Sequence, residues 1–142
     1  MKDRPMIRNG ILAGLLVAVV WIGCAGASPA KGRPLTGTWG GEHISLELTA
    51  EGGRVEYDCA HGTLDGPLVP DREGRFEAAG THTAEHGGPV REGEEETGRP
   101  ARYRGKVAGN SMTLTVTLTD SGDEVGTFTL TRGVTPRLTK CL

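Results

Sequence analysis

The sequence predicts an all-β domain: a small antiparallel meander of about six to eight strands, closed into a barrel or folded into a sandwich and held by one disulfide. Three observations carry this prediction. Met112, Leu114, Val116 and Leu118 alternate with Thr113, Thr115, Thr117 and Thr119, a period of two with β-branched residues on the solvent side. Gly-containing segments such as Glu51-Gly52-Gly53, Gly109-Asn110 and Ser121-Gly122-Asp123 supply the positive-φ positions that hairpins need. No segment beyond the N-terminal region has a sustained helical period, so the sheet must bury its apolar face against itself.

Taken in order, Ile44, Leu46 and Leu48 mark a first strand, and Val55, Tyr57 and Cys59 a second. Phe76, Ala78 and Gly80 mark a third, Tyr103 and Val107 a fourth, Met112 to Leu118 a fifth, and Phe128 and Leu130 a sixth. The connection from Gly87 to Pro100 is rich in Gly and Glu and long for a hairpin, which suits a mobile loop or lid. Large aromatic residues of the mature part are limited to Trp39, Tyr57, Phe76, Tyr103 and Phe128. So thin a core makes a covalent staple valuable.

The start of the chain reads as an export signal. Lys2, Arg4 and Arg8 form a positive region, and Ile11 to Gly23 is an uncharged, mostly aliphatic run. As a helix the run spans about 20 Å against ~30 Å of bilayer hydrocarbon, too short for a comfortable membrane span. Two processing routes follow. Ala25-Gly26-Ala27 is a small-x-small site, and cutting after Ala27 releases a soluble protein. Trp21-Ile22-Gly23-Cys24 resembles the lipobox of bacterial lipoproteins, with Trp21 where Leu is usual, and the resemblance implies acylation of Cys24. The lipobox is the preferred route, giving a signal at 1–23, a flexible tether at 24–35 and a β-domain at 36–142.

Of three cysteines, either route takes Cys24 out of disulfide chemistry, leaving Cys59 and Cys141 to pair outside the cytoplasm. The alternative is a buried free Cys59 with a loose Cys141. The formal charge of −2, with acids and bases intermixed, gives no footprint for nucleic acid.

No assembled chemistry stands out. His82-Thr83-Ala84-Glu85-His86 matches H-x-x-E-H, but that zinc motif needs a helix, and in a strand i and i+4 lie about 13 Å apart. Strand parity carried on from Tyr57 and Cys59 places His61 and His82 together on the inner side, as caps of an open sheet end or as part of a polar pocket. His43, Glu42 and Asp58 are possible rim members. There is no G-x-S-x-G elbow, no phosphate loop followed by a helix, and no metal or cofactor site is predicted.

Thr36-Gly37-Thr38-Trp39 opening a meander resembles the G-x-W signature of the calycins, the lipocalin and avidin-like barrels. In that family the Trp closes the barrel floor beside an Arg of the last strand, a role that falls to Arg132, and the resemblance implies binding of a small apolar ligand. Those barrels have eight strands. Tyr57-Asp58-Cys59 with a terminal Cys141 also resembles the membrane-bound c-type lysozyme inhibitors, which implies a periplasmic inhibitor. The inhibitory serine of that family is absent around Ala101-Arg102-Tyr103, and Arg132 stands where it has Lys, so its inhibitory residues do not transfer.

The expectation is a monomeric, non-enzymatic binding protein of the bacterial envelope, either a lipoprotein facing the periplasm or a soluble exported protein. Its partner is an envelope protein or a small ligand. The candidate binding residues are Trp39, Tyr57, His61, His82 and Arg132.

Overall fold

The computed structural model describes residues 32–89, 93 and 97–141, which form eight β-strands. They are β1 (Gly37–Gly41), β2 (Ile44–Leu48), β3 (Gly53–Tyr57), β4 (Ala60–Leu64), β5 (Arg75–Ala84), β6 (Arg99–Ala108), β7 (Ser111–Leu118) and β8 (Glu124–Arg132). Each pairs antiparallel with the next, and β8 returns to β1 through Trp39↔Arg132, Gly40↔Thr131 and Gly41↔Leu130, closing the barrel. Closure removes the edge strands that an open sheet would expose. The signal region, Cys24 and the tether up to residue 31 lie outside the described residues.

Alternation decides what faces inward. In β7, Met112, Leu114, Val116 and Leu118 are buried, while the threonines between them face out. Together with Trp39, Ile44, Leu46, Val55, Phe76, Tyr103 and Leu130 they belong to a single core cluster. Leu68, from the loop between β4 and β5, is fully buried in it, and its carbonyl accepts from the Leu35 amide at 2.8 Å. Each fully buried aliphatic side chain contributes about 1.5–3 kcal/mol against chain entropy.

Two strands escape the sequence pattern. Three of the five residues of β1 are glycine, so it shows no alternation. The reason for glycine lies outside the barrel: the segment after β8 folds back over β1, and a Cβ on Gly40 would collide with the Val134 carbonyl. The second, β4, begins after a tight turn at Asp58-Cys59 that resets the phase, so Ala60, Gly62 and Leu64 point inward rather than Cys59 and His61.

The returning segment is a strap. Its Arg137 amide donates to Gly41 and its carbonyl accepts from His43, and Cys141 bonds to Cys59 across a sequence separation of 82 residues. The barrel therefore has two unlike ends. The chain enters at one, beside the β2–β3 and β6–β7 turns; the other carries the disulfide and the β1–β2, β3–β4, β5–β6 and β7–β8 connections.

Candidate functional site

At the entry end Trp39 is 1 % exposed. Its register partner Arg132 places its guanidinium carbon 4.5 Å from the Trp39 ring centroid and donates to the Thr36 carbonyl at 3.1 Å. A cation held over an indole face is worth about 0.5–2 kcal/mol. The pair joins β1 to β8 at this end of the barrel, with the indole buried and the guanidinium facing solvent.

At the disulfide end the inward side chains are Tyr57 of β3, His82 of β5 and Phe128 of β8. The Tyr57 and His82 rings meet edge-on at 5.1 Å, and Phe128 lies 5.6 Å from Tyr57. Tyr103 crosses beneath them, its hydroxyl donating to the Thr81 carbonyl at 2.5 Å. It lies over Gly62, where a Cβ would run into that hydroxyl, so β4 needs glycine there. Burial pushes the Tyr57 phenol far above its ordinary range, with Tyr103 adding to the shift. Burial also lowers the His82 pKa, reinforced by Arg99 and then His61. The Tyr57 hydroxyl and His82 Nδ1 are both buried with no hydrogen-bond partner, as is Trp39 Nε1.

His61 is not part of this interior. The turn at Asp58-Cys59 rotates it to the outer face, where its Nδ1 lies 2.8 Å from Glu85 Oε1. This corrects the shared inner face expected for His61 and His82: they sit on neighbouring strands, facing opposite sides of the sheet. His43 makes the matching pair with Asp58, Nδ1 to Oδ2 at 2.6 Å, from a backbone φ of 64°. Lys140 bridges Glu56 at 2.9 Å and Glu85 at 3.6 Å and donates to the Tyr57 carbonyl at 3.0 Å.

Asp58, Glu56 and Glu85 fasten the strap to the barrel around the disulfide through Thr139 and Lys140, while the two histidine pairs join barrel elements to one another. The Thr139 amide is the largest influence holding the Asp58 carboxyl below its usual range, followed by His43. His61 does the same for Glu85, helped by Lys140. Among the described residues no group of three or more His, Cys, Asp or Glu side chains gathers closely enough to hold a metal ion.

Clefts open on the outer face of the barrel. A groove of about 650 Å³ runs over β5, β6 and β7, lined by Val69, Asp71, Arg75, Glu77, Arg104 and Lys106 among others. A second, of about 350 Å³, continues it past Arg102, Thr117 and Thr119, sharing Arg104 and Thr115. None of these residues is a sequence candidate. The signal was present in β6, where Arg102, Arg104 and Lys106 alternate with the inward Tyr103, Gly105 and Val107.

The closed, eight-stranded antiparallel barrel with Trp39 in its first strand is consistent with a calycin-like architecture. Comparisons with family models, curated proteins and solved structures found no match for this chain, for the lipobox or for the lysozyme-inhibitor resemblance.

Proposed function

We propose that the chain is an exported, non-enzymatic binding protein of the bacterial envelope, anchored by lipid on Cys24, that engages its partner with the outer surface of the barrel. The observation that carries this reading is the filling of the lumen. Side chains from all eight strands belong to one core cluster, and Arg132 stacks on Trp39 at one end. An apolar cargo has to displace that packing, at the cost of several buried contacts. His43 is paired with Asp58 and His61 with Glu85, while Asp58, Glu56 and Glu85 also hold Thr139 and Lys140 of the strap, which favours a structural use over a catalytic one.

The anchor fits the geometry. The described chain enters the barrel at Leu35, at the end remote from the disulfide. Twelve residues separate Cys24 from that point inclusive, a reach of at most about 40 Å. A lipid on Cys24 therefore tethers the barrel through its entry end, with a reach that leaves the barrel wall accessible.

A second reading, a carrier of a small ligand, is favoured by the unpartnered Tyr57 hydroxyl and His82 Nδ1 at the disulfide end. Native mass spectrometry of the protein purified from its host separates the two. The surface reading predicts an acylated chain with one disulfide and no bound small molecule. A stoichiometric small molecule released by substitution of Tyr57 or His82 supports the carrier instead, and an unacylated chain beginning at Ser28 removes the anchor.

A further inference from the structure

We infer that the groove over β5, β6 and β7 is a binding site for an acidic linear polysaccharide. The inference deepens the surface-binding reading and rests on it.

One wall of the groove is cationic. Arg102, Arg104 and Lys106 face out from β6 at every second position, a spacing of about 6.7 Å that sets out charges over some 13 Å. Arg75 adds a fourth cation from β5. The opposite wall is hydroxylic: Thr117, Thr115 and Thr113 of β7 stand in register with Arg102, Arg104 and Lys106. Beyond them the Thr115 hydroxyl meets that of Thr127 on β8 at 2.9 Å, so the polar surface continues onto the next strand.

The charges do not cancel. Glu77 sits between Arg102 at 3.2 Å and Arg104 at 2.9 Å, and Asp71 and Glu73 hold Arg75 at 3.2 Å and 3.4 Å. Lys106 has no acidic partner among the described residues. The two clefts are lined by four cations and two carboxylates, and with Glu73 beside Arg75 the local surplus is one positive charge, centred on Lys106, on a chain whose formal charge is −2.

The chemistry selects the partner. Guanidinium and ammonium groups bind carboxylate or other oxyanions, and threonine hydroxyls both donate to and accept from sugar hydroxyls. A protein partner calls for aromatic and aliphatic anchors at the centre of the patch. The apolar side chains lining the groove, Phe76 and Val69, are buried and half-buried, and among the described residues the only large exposed hydrophobic is Val134, in the strap. A single-stranded nucleic acid calls for exposed aromatic platforms, which this groove does not offer.

The test is titration calorimetry of the purified domain with polygalacturonate, with uncharged dextran as control. Binding is expected for polygalacturonate, weakening as salt is raised, and none for dextran. Arg104→Gln with Lys106→Gln is expected to weaken it about tenfold. Glu77→Gln, which releases two arginines, is expected to tighten it. Arg137→Gln, on the strap, is expected to leave it unchanged. Thermal melts confirm that each variant is folded. Equal binding to dextran, indifference to the double substitution, or no binding overturns the inference. A copurifying ligand inside the barrel is a different failure, because it removes the surface-binding reading itself.

Discussion

Replacing Cys59 and Cys141 by serine together tests what holds a barrel with so few large aromatics. The bond joins residues 82 positions apart. In the chain-entropy treatment, closing a loop of that length restricts the unfolded chain by about 4.5 kcal/mol, comparable to the whole stability of a small domain. The folded barrel keeps its eight-strand closure without the bond, since β8 pairs with β1 independently of the strap. The expected result is therefore a folded but much less stable protein, its urea midpoint displaced by a loss of about 3–5 kcal/mol, with a steeper m-value as the unfolded chain expands. Hydrogen exchange adds a local signature: the Thr139 and Cys141 amides, which bond to the Asp58 side chain and carbonyl, lose protection first. A loss below about 1 kcal/mol refutes the entropic reasoning. Loss of sheet signal under native conditions refutes the claim that the strand ladder closes the barrel by itself.

Three further predictions concern the disulfide end. The lowered pKa values of Asp58 and Glu85 mean that their contribution to stability is present above the unfolded carboxylate range and is lost as pH falls through the lower folded values. The strap should therefore loosen below about pH 4, and His61→Ala should weaken the part due to Glu85, measured as midpoint against pH. Gly62→Ala forces a Cβ into the Tyr103 hydroxyl and the Thr81 carbonyl and should cost about 1–3 kcal/mol in a denaturant melt; a cost under about 0.5 kcal/mol contradicts the packing described. Tyr57→Phe removes a buried hydroxyl that has no partner, so stability should change by less than about 1 kcal/mol, and a larger loss indicates that an ordered water or ligand uses that atom.

The parts legible in the sequence were those governed by a local period or by elimination. The alternation of Met112 to Leu118 marks β7 with its inward face, and the expectation that Cys24 takes no part in a disulfide leaves Cys59 and Cys141, which are bonded in the structure. Trp39 and Arg132 were legible because a resemblance tied one to the other across the closure of the barrel. The remainder depended on tertiary geometry. A two-residue turn at Asp58-Cys59 moved His61 to the outside, a shift of phase that parity counting carried through the turn does not register. Gly37–Gly41 has no pattern of its own, because its glycines answer to contacts distant in sequence: Gly40 to the strap at Val134 and Gly41 to the Thr129 carbonyl of β8. The groove is assembled from three strands, and each strand alone reads as an ordinary solvent face.

The strand alternation also supplies a direct test of where the protein binds. In β7 the threonine methyls of Thr113, Thr115 and Thr117 face out, while the methyls of Leu114 and Val116 face the lumen. Methyl NMR of the labelled domain titrated with the soluble polysaccharide fraction of its host's envelope reads both populations at once. Shifts confined to the threonine methyls, with the leucine and valine methyls unmoved, are the predicted result. Shifts concentrated at the Leu114 and Val116 methyls would contradict it and place the ligand inside the barrel.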